Sequence, residues 1–186
     1  MRSISRRTLH LLRLIALLAI ATRPSFADSL SAGRIELHVD ASDVARGIFR
    51  VNETVPVTGP GRLVLLYPKW LPGYHAPAGP IDKLGGLVVS AHGKSLAWRR
   101  DPADAYAFEI DVPHGARSVD LQFQYLSPVA PEQGRIVMTP EMLALEWNTV
   151  VLYPQGVSSA SVTIAASVTL PPNWQFATSL TQTDFW

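Results

Sequence analysis

The sequence predicts an all-β fold: a single antiparallel β-sandwich domain that follows a cleaved signal peptide. Beyond residue 30, apolar and polar residues alternate with a period of two, which is typical of strands with one buried face. The alternating segments recur about every 10 to 15 residues between turn-forming residues, as in a sandwich or barrel. Alternation also favours antiparallel pairing, because parallel strands are usually buried on both faces. Helical periodicity is missing, and only residues 140–143 predict a single helical turn.

The predicted strands can be placed in chain order from their alternation alone. They are residues 35–39, 49–57, 63–67, 87–89, 96–98, 106–110, 119–125, 143–152 and 162–170. Glu53 interrupts the series of apolar residues on one face of the second strand. His92, Gly93 and Lys94 separate two short strands and predict a tight hairpin.

Residues 1–27 are predicted to be the signal peptide. The first 13 residues include four arginines and no acidic residue. An apolar stretch follows at residues 14–21, and it is shorter than the roughly 20 residues needed to span a bilayer. Ser25 and Ala27 supply the small residues that a signal peptidase reads. We therefore expect an exported protein, periplasmic or secreted, with no membrane segment in its mature form. Residues 5–9 resemble a twin-arginine signal, but the general secretory route is favoured.

Composition excludes several classes of function. Residues 1–27 contain five of the 16 basic residues, so the remaining 159 residues carry 11 basic against 15 acidic residues, a net charge of −4. That balance argues against nucleic acid as a partner. The chain has no cysteine, which excludes disulfides, thiolate zinc sites and cysteine nucleophiles.

A proline-rich loop at residues 67–81 holds the candidate contact residues. Four prolines and two glycines exclude a helix or a central strand there. Leu71-Pro72-Gly73-Tyr74 predicts a type II turn, since proline fixes φ at the second position and glycine accepts a positive φ at the third. The loop also carries Trp70, Tyr74 and His75, which ordinary solvated loops seldom collect. These three side chains are the candidates for contact with a substrate or a second domain.

No catalytic residue, metal ligand or cofactor site is predicted in this chain. No histidine is followed by the spacing of a zinc helix, and no two mature histidines lie three to five residues apart. Gly-x-Ser-x-Gly is missing, and the glycine pairs lie between strands with no helix after them. His38 is expected to face outward on its strand, and His92 and His114 to lie in solvated turns.

The end of the sequence suggests a truncation. Residues 171–176 begin a new extended piece, and Phe185 and Trp186 form an apolar pair with nothing after them to cover it. Since chain termini usually end in polar residues, we expect residues 28–186 to be one domain, whose last ~10 residues start a severed linker.

Three segments of the chain resemble one protein family. Residues 68–74 resemble the Pro-x-Trp-x-Pro-Gly loop of the glycyl aminopeptidase family of zinc metallopeptidases, and residues 92–98 are similar to its following Gly-Lys-x-Leu-x-Trp hairpin. Residues 147–154 and 170–174 are similar to later strands of that family's N-terminal domain. At Tyr74 and His75 the chain departs from the family's commoner Ser-Tyr or Asn-His pair.

The resemblance implies a function for the chain and for a larger parent protein. In that family an N-terminal β domain precedes a helical catalytic domain, which binds zinc. The chain would then be a non-catalytic N-terminal domain that braces the catalytic domain, with Trp70 and its neighbours shaping the substrate cleft. The implied partners are a catalytic domain in the same polypeptide and a peptide substrate; zinc would belong to that missing domain.

Two other interpretations of the residues stay open. The proline-rich loop could stack on a peptide or a sugar in a stand-alone secreted binding module. Alternatively, the chain could be a structural β domain with no ligand. The binding module requires a solvent-exposed Trp70. If Trp70 is exposed, its replacement by alanine should have little effect on stability, whereas replacement of a buried Trp70 should have a large effect.

Overall fold

A computed structural model describes residues 33–71 and 73–181 as a two-sheet β-sandwich. The predicted signal peptide, Pro72 of the predicted turn, and the Phe185–Trp186 pair lie outside the described residues. The ten strands are β1 (Ile35–Asp40), β2 (Ile48–Pro56), β3 (Gly61–Leu66), β4 (Leu84–Ala91), β5 (Lys94–Leu96), β6 (Trp98–Arg100), β7 (Ala107–Val112), β8 (Ser118–Leu126), β9 (Tyr153–Pro154) and β10 (Ile164–Thr169).

The larger sheet has six strands in the order β10-β1-β2-β8-β4-β5, and the smaller has four in the order β6-β7-β3-β9. The chain crosses from one sheet to the other at Ala97, so the predicted strand 96–98 is divided between them. Every strand pair is antiparallel except β1 with β10, which is parallel. The prediction of a β-sandwich is confirmed, with this one parallel pair as the difference.

The core lies between the two sheets and follows the predicted alternation. The larger sheet contributes Phe49 and Leu121, and the smaller contributes Leu65, Phe108 and Ile110, all buried. Burying a large apolar side chain contributes about 1.5–3 kcal/mol each, so these rings and branched chains supply much of the stability. The short β4–β5 hairpin forms as predicted, with positive φ at both His92 (51°) and Gly93 (71°).

The predicted strand over residues 143–152 is wrong. A 3₁₀ turn occupies Trp147–Thr149, and only the two residues of β9 pair with β3. Thr149 explains the change, because its N–H and its hydroxyl both donate to the carbonyl of Glu146, at 2.8 and 2.7 Å. Such local hydrogen bonds compete with a strand ladder.

The helical turn expected at residues 140–143 does not form either. Thr139 N–H donates to the carbonyl of Met142 at 2.8 Å, and the Thr139 hydroxyl accepts from the Met142 N–H at 3.0 Å. A single bridge then pairs Met138 with Leu143. This segment is therefore a small hairpin, because the backbone and side chain of Thr139 form the hydrogen bonds that close its turn.

One end of the sandwich gathers the proline-rich loop and the end of β8. Residues 67–83 connect the end of β3 to the start of β4. Leu84, the first residue of β4, is paired with Tyr125 near the end of β8. We call this the loop end of the sandwich.

The last strand also finishes at the loop end. Tyr125 is paired with Phe49 at the start of β2, so β2 begins there. Asp40, the last residue of β1, is paired both with Arg50 and with Thr169 at the end of β10. The segments that follow β8 and β10 therefore leave the sandwich from the same end as the proline-rich loop.

Candidate functional site

The proline-rich loop is closed at its base by one carbonyl. Lys69 C=O accepts from the N–H of Ala78 at 2.8 Å and from that of Gly79 at 3.1 Å, so residues 70–77 project as a compact loop. A Cβ on Gly79 would lie 2.0 Å from the carbonyl oxygen of Pro68 and 2.9 Å from Cα of Lys69. Only glycine allows the two chain segments to approach this closely.

Two residues just before β7 hold the base of the loop in place. Tyr106 Oη donates to the carbonyl of Gly79 at 3.1 Å. Lys69 Nζ lies 2.5 Å from a carboxylate oxygen of Asp104 and 5.8 Å from the centre of the Tyr106 ring. The hydrogen bond from Lys69, followed by one from the Tyr106 N–H, lowers the pKa of Asp104 below its usual 3.8. The loop is therefore anchored to the smaller sheet by both a neutral and a charged contact.

The predicted turn within the loop is present. Tyr74 N–H donates to the carbonyl of Leu71 at 3.2 Å, and Gly73 has φ of +84°, the value that a type II turn requires at its third residue. This turn reverses the chain between Trp70 and Tyr74, so both rings belong to one tight projection.

The structure brings the three predicted contact residues together on this projection and exposes all of them. Trp70 is 62% exposed and Tyr74 is 61% exposed, and His75 is also exposed. Their side chains make no hydrogen bond, ion pair or ring contact with another described residue. Large rings on a closed, anchored loop present apolar area at low cost in conformational entropy, so the loop suits contact with another molecule or domain. Their role in such contact stays a prediction.

Replacing Trp70 with alanine is expected to change the free energy of unfolding by no more than about 0.5 kcal/mol, because an exposed side chain with no partner contributes little to stability. Trp98 is the matched control: it is half-buried, its ring packs at a tilt against that of Phe108 with 5.6 Å between ring centres, and its Nε1 donates to the Leu87 carbonyl at 3.0 Å. Trp98→Ala should cost about 2–3 kcal/mol. Urea unfolding of both variants checks this, and similar losses would mean that Trp70 is packed.

The other three histidines, His38, His92 and His114, lie where they were predicted to lie from the sequence. His92 and His114 are exposed in turns between strands. His38 lies on the outward face of β1, where its ring nitrogens are 2.9 Å from the Ser167 hydroxyl and 3.3 Å from the Thr169 hydroxyl. Within residues 33–71 and 73–181, no three His, Asp or Glu side chains lie close enough together to bind a metal ion. The zinc that the resemblance implies therefore has no ligand set in the described part of the chain.

Sequence reasoning missed the burial of Glu53. This glutamate keeps the parity of β2, so its side chain points into the core between Leu37 and Leu121, and it is only 2% exposed. Both carboxylate oxygens accept from the N–H of Leu152, at 3.0 and 3.3 Å. Burial raises the pKa of Glu53 well above its usual 4.5, and the bond from Leu152 lowers it by less. A charged residue at an inward-facing strand position was the available signal.

Sequence reasoning also missed an apolar groove of about 510 Å³ at the loop end. Residues from three separate segments line it, and the largest are Met142, Leu143, Leu145, Trp147, Val168, Leu170, Trp174 and Phe176. The groove forms because the hairpin after Ser127 and the chain beyond β10 fold against the same end of the sandwich. Only the tertiary structure brings these segments together.

The fold and the loop define the class of this protein: a two-sheet β domain that presents an aromatic loop at one end. The chain belongs to the Peptidase M61 N-terminal domain family, whose sequence profile matches residues 36–185. This confirms the resemblance to the N-terminal domain of a zinc metallopeptidase. No curated protein sequence matches the chain.

One of the similar solved structures shares the fold of this chain. An aminopeptidase N family protein from Idiomarina loihiensis superposes with a TM-score of 0.57 at 16% identity, covering 74% of this chain and 22% of that one. A mutant M1 zinc metallopeptidase from Deinococcus radiodurans, bound to a Tyr-Ser-Ala substrate, gives a TM-score of 0.40 at 14% identity, covering 77% of this chain and 33% of that one. This chain thus spans a third or less of the length of these structures. No described helix is long and apolar enough to cross a bilayer.

Proposed function

We propose that this chain is the non-catalytic N-terminal domain of a zinc aminopeptidase and that it braces the peptidase domain through the loop at residues 70–77. Membership of the Peptidase M61 N-terminal domain family supports the first part. The second part depends on one observation: Trp70 and Tyr74 are exposed on a loop whose base is closed by Lys69 and anchored by Tyr106.

The exposed rings on the anchored loop reduce the free-energy cost of forming an interface. Aromatic residues are enriched at the centres of protein interfaces, where a few side chains account for most of the binding free energy. A loop held by its own backbone hydrogen bonds loses little conformational freedom when it docks. Trp70 and Tyr74 therefore fit a wall of the substrate cleft or the seam beside it.

The experiment replaces the N-terminal domain of an M61 peptidase with this chain. The fused protein is compared with the peptidase domain alone and with this chain alone, using thermal unfolding and hydrolysis of glycine-linked fluorogenic peptides. We expect the fusion to unfold at a higher temperature than the peptidase domain alone and to be active, and this chain alone to be inactive. Activity in this chain alone would contradict the non-catalytic assignment.

Alanine variants in the fusion test the loop. Trp70→Ala should remove about 2 kcal/mol or more of the stabilisation, the loss typical of a central interface aromatic. His75→Ala is paired with His114→Ala, an exposed histidine in the turn that follows β7, at the opposite end of the sandwich. If the two histidine variants had equal effects and Trp70→Ala had none, the loop would not be part of the interface.

A stand-alone binding module is the second candidate, because the exposure of Trp70 is also what such a module requires. In that case this chain alone should bind a peptide or a sugar, and Trp70→Ala should abolish the binding without lowering stability. The fusion would then show no gain in unfolding temperature. The two functions thus predict opposite results for the same protein.

A further inference from the structure

Resting on the proposed function, we infer that the surface that docks against the peptidase domain extends from the loop at residues 70–77 to the apolar groove at the same end of the sandwich. The occupant of the groove would be an uncharged, apolar element of the peptidase domain. A long run without charged residues, a partly covered strand face and the position of the groove all support such a surface.

The first observation is a long run without charge. No Asp, Glu, Lys, Arg or His occurs from Trp147 to Thr181, although the chain contains 31 charged residues overall, 16 basic and 15 acidic. Much of this run is exposed, including most of residues 158–167 and 172–181. Solvated surfaces are rich in charged residues, whereas the centres of interfaces are depleted in them. The composition of this surface is therefore that of an interface.

The second observation is that the inner face of β10 is only partly covered. Ile164 and Val168 have the same parity as the buried Ile35 and Val39 opposite them on β1, so they face the side on which the smaller sheet packs. Ile164, at the end of β10 away from the loop end, is 39% exposed, whereas Val168, which lines the groove, is only half-buried against the core. An edge strand that faces solvent usually carries charge or proline, and β10 carries neither.

The third observation is the groove itself. Met142 and Phe176 belong to separate segments of its lining and are 68% and 50% exposed. Glu141 is the one charged residue in the lining. Exposed apolar surface that gathers in one concave site marks an interaction site, whereas single exposed apolar residues do not.

The groove and the proline-rich loop lie at the same end of the sandwich. Four strand spacings separate β10 from β4 in the larger sheet, or roughly 19 Å at about 4.8 Å per spacing. A standard interface buries about 800 Å² on each partner, an area wide enough to include both features. One docked domain can therefore cover both features at once.

The test uses the fusion described above and measures hydrogen exchange of backbone amides. We expect residues 168–178 and residues 69–79 to gain protection in the fusion relative to this chain alone. Met142→Lys and Phe176→Lys should each remove at least half of the gain in unfolding temperature. Val88→Lys is the control, because Val88 is exposed on β4, paired with the exposed Gln122, and we expect it to have little effect.

The possible outcomes separate this inference from the proposed function. Protection gained only at residues 69–79, with Met142→Lys silent, would overturn the inference and leave the proposed function standing. No gain anywhere would overturn both. Sedimentation of this chain alone provides a further check: protection of the groove that rises with concentration, together with dimer formation, would identify a second copy as the occupant and overturn the inference.

Discussion

Gly79→Ala is expected to lower the free energy of unfolding by about 3 kcal/mol, the upper part of the range for overpacking a closed site. The added methyl group would lie 2.0 Å from the carbonyl oxygen of Pro68, and a backbone atom cannot move aside as a flexible side chain can. The loop base must therefore open, and the bonds from Ala78, Gly79 and Tyr106 weaken together. Urea unfolding measures the loss; for a domain of this size each kcal/mol lowers Tm by roughly 2–4 °C.

Gly59→Ala is the matched control for this prediction. A Cβ at Gly59 meets nothing within 4 Å, and the residue does not have positive φ. Alanine there should leave stability unchanged or raise it by about 0.4–1 kcal/mol, because it restricts the unfolded chain. Equal stability of the two variants would show that the contact between residues 68–69 and residue 79 does not hold the loop.

Glu53→Gln is expected to stabilise the protein more at pH 8 than at pH 4, because wild type loses about 1.4 kcal/mol of stability for each pH unit between the unfolded and the folded pKa of Glu53. Glutamine keeps the shape of the side chain, and its amide oxygen can accept the bond from Leu152 N–H. It cannot ionise, so the variant neither has to take up a proton on folding nor has to bury a charge as the pH rises. Chemical unfolding at several pH values measures the difference.

The sign of the pH dependence follows from the direction of the pKa shift. Since the folded-state pKa of Glu53 is raised, the folded protein retains a proton that the unfolded chain has lost above about pH 4.5. The contribution of Glu53 to stability is therefore full below that pH and is lost as pH rises through the folded pKa. Glu53→Gln should flatten this part of the profile. Glu36→Gln, at an exposed position on β1, should not, and parallel profiles for wild type and Glu53→Gln would contradict the prediction.

Strand predictions were correct where the alternation was long. They were wrong where a side chain formed a local hydrogen bond that replaced strand pairing. The β8 segment alternates over its whole length and forms a central strand as predicted. Residues 143–152 are equally apolar, but the Thr149 hydroxyl satisfies the Glu146 carbonyl and ends the extended conformation. Apolar content alone does not distinguish a paired strand from a segment that covers the end of a sandwich.

The sequence predicts the tight turn of the candidate site but not the contacts that anchor the loop. Proline and glycine impose local φ values, so the turn from Leu71 to Tyr74 could be inferred without a structure. The contact from Lys69 to Asp104 crosses 35 positions in sequence, and no local preference encodes it. The exposure of Trp70 depends on such contacts, because they decide which side of the loop faces the sheet.

By itself the sequence determined the β class, most strand positions, the aromatic turn and the family resemblance, because each follows from short-range periodicity or from residues with restricted φ. The tertiary structure alone decided the parallel pairing of β10 with β1, the burial of Glu53 and the groove at the loop end. These features depend on which distant segments meet across the two sheets. Pairing of that kind is governed by the free energy of the whole packed core, which no single stretch of the chain contains.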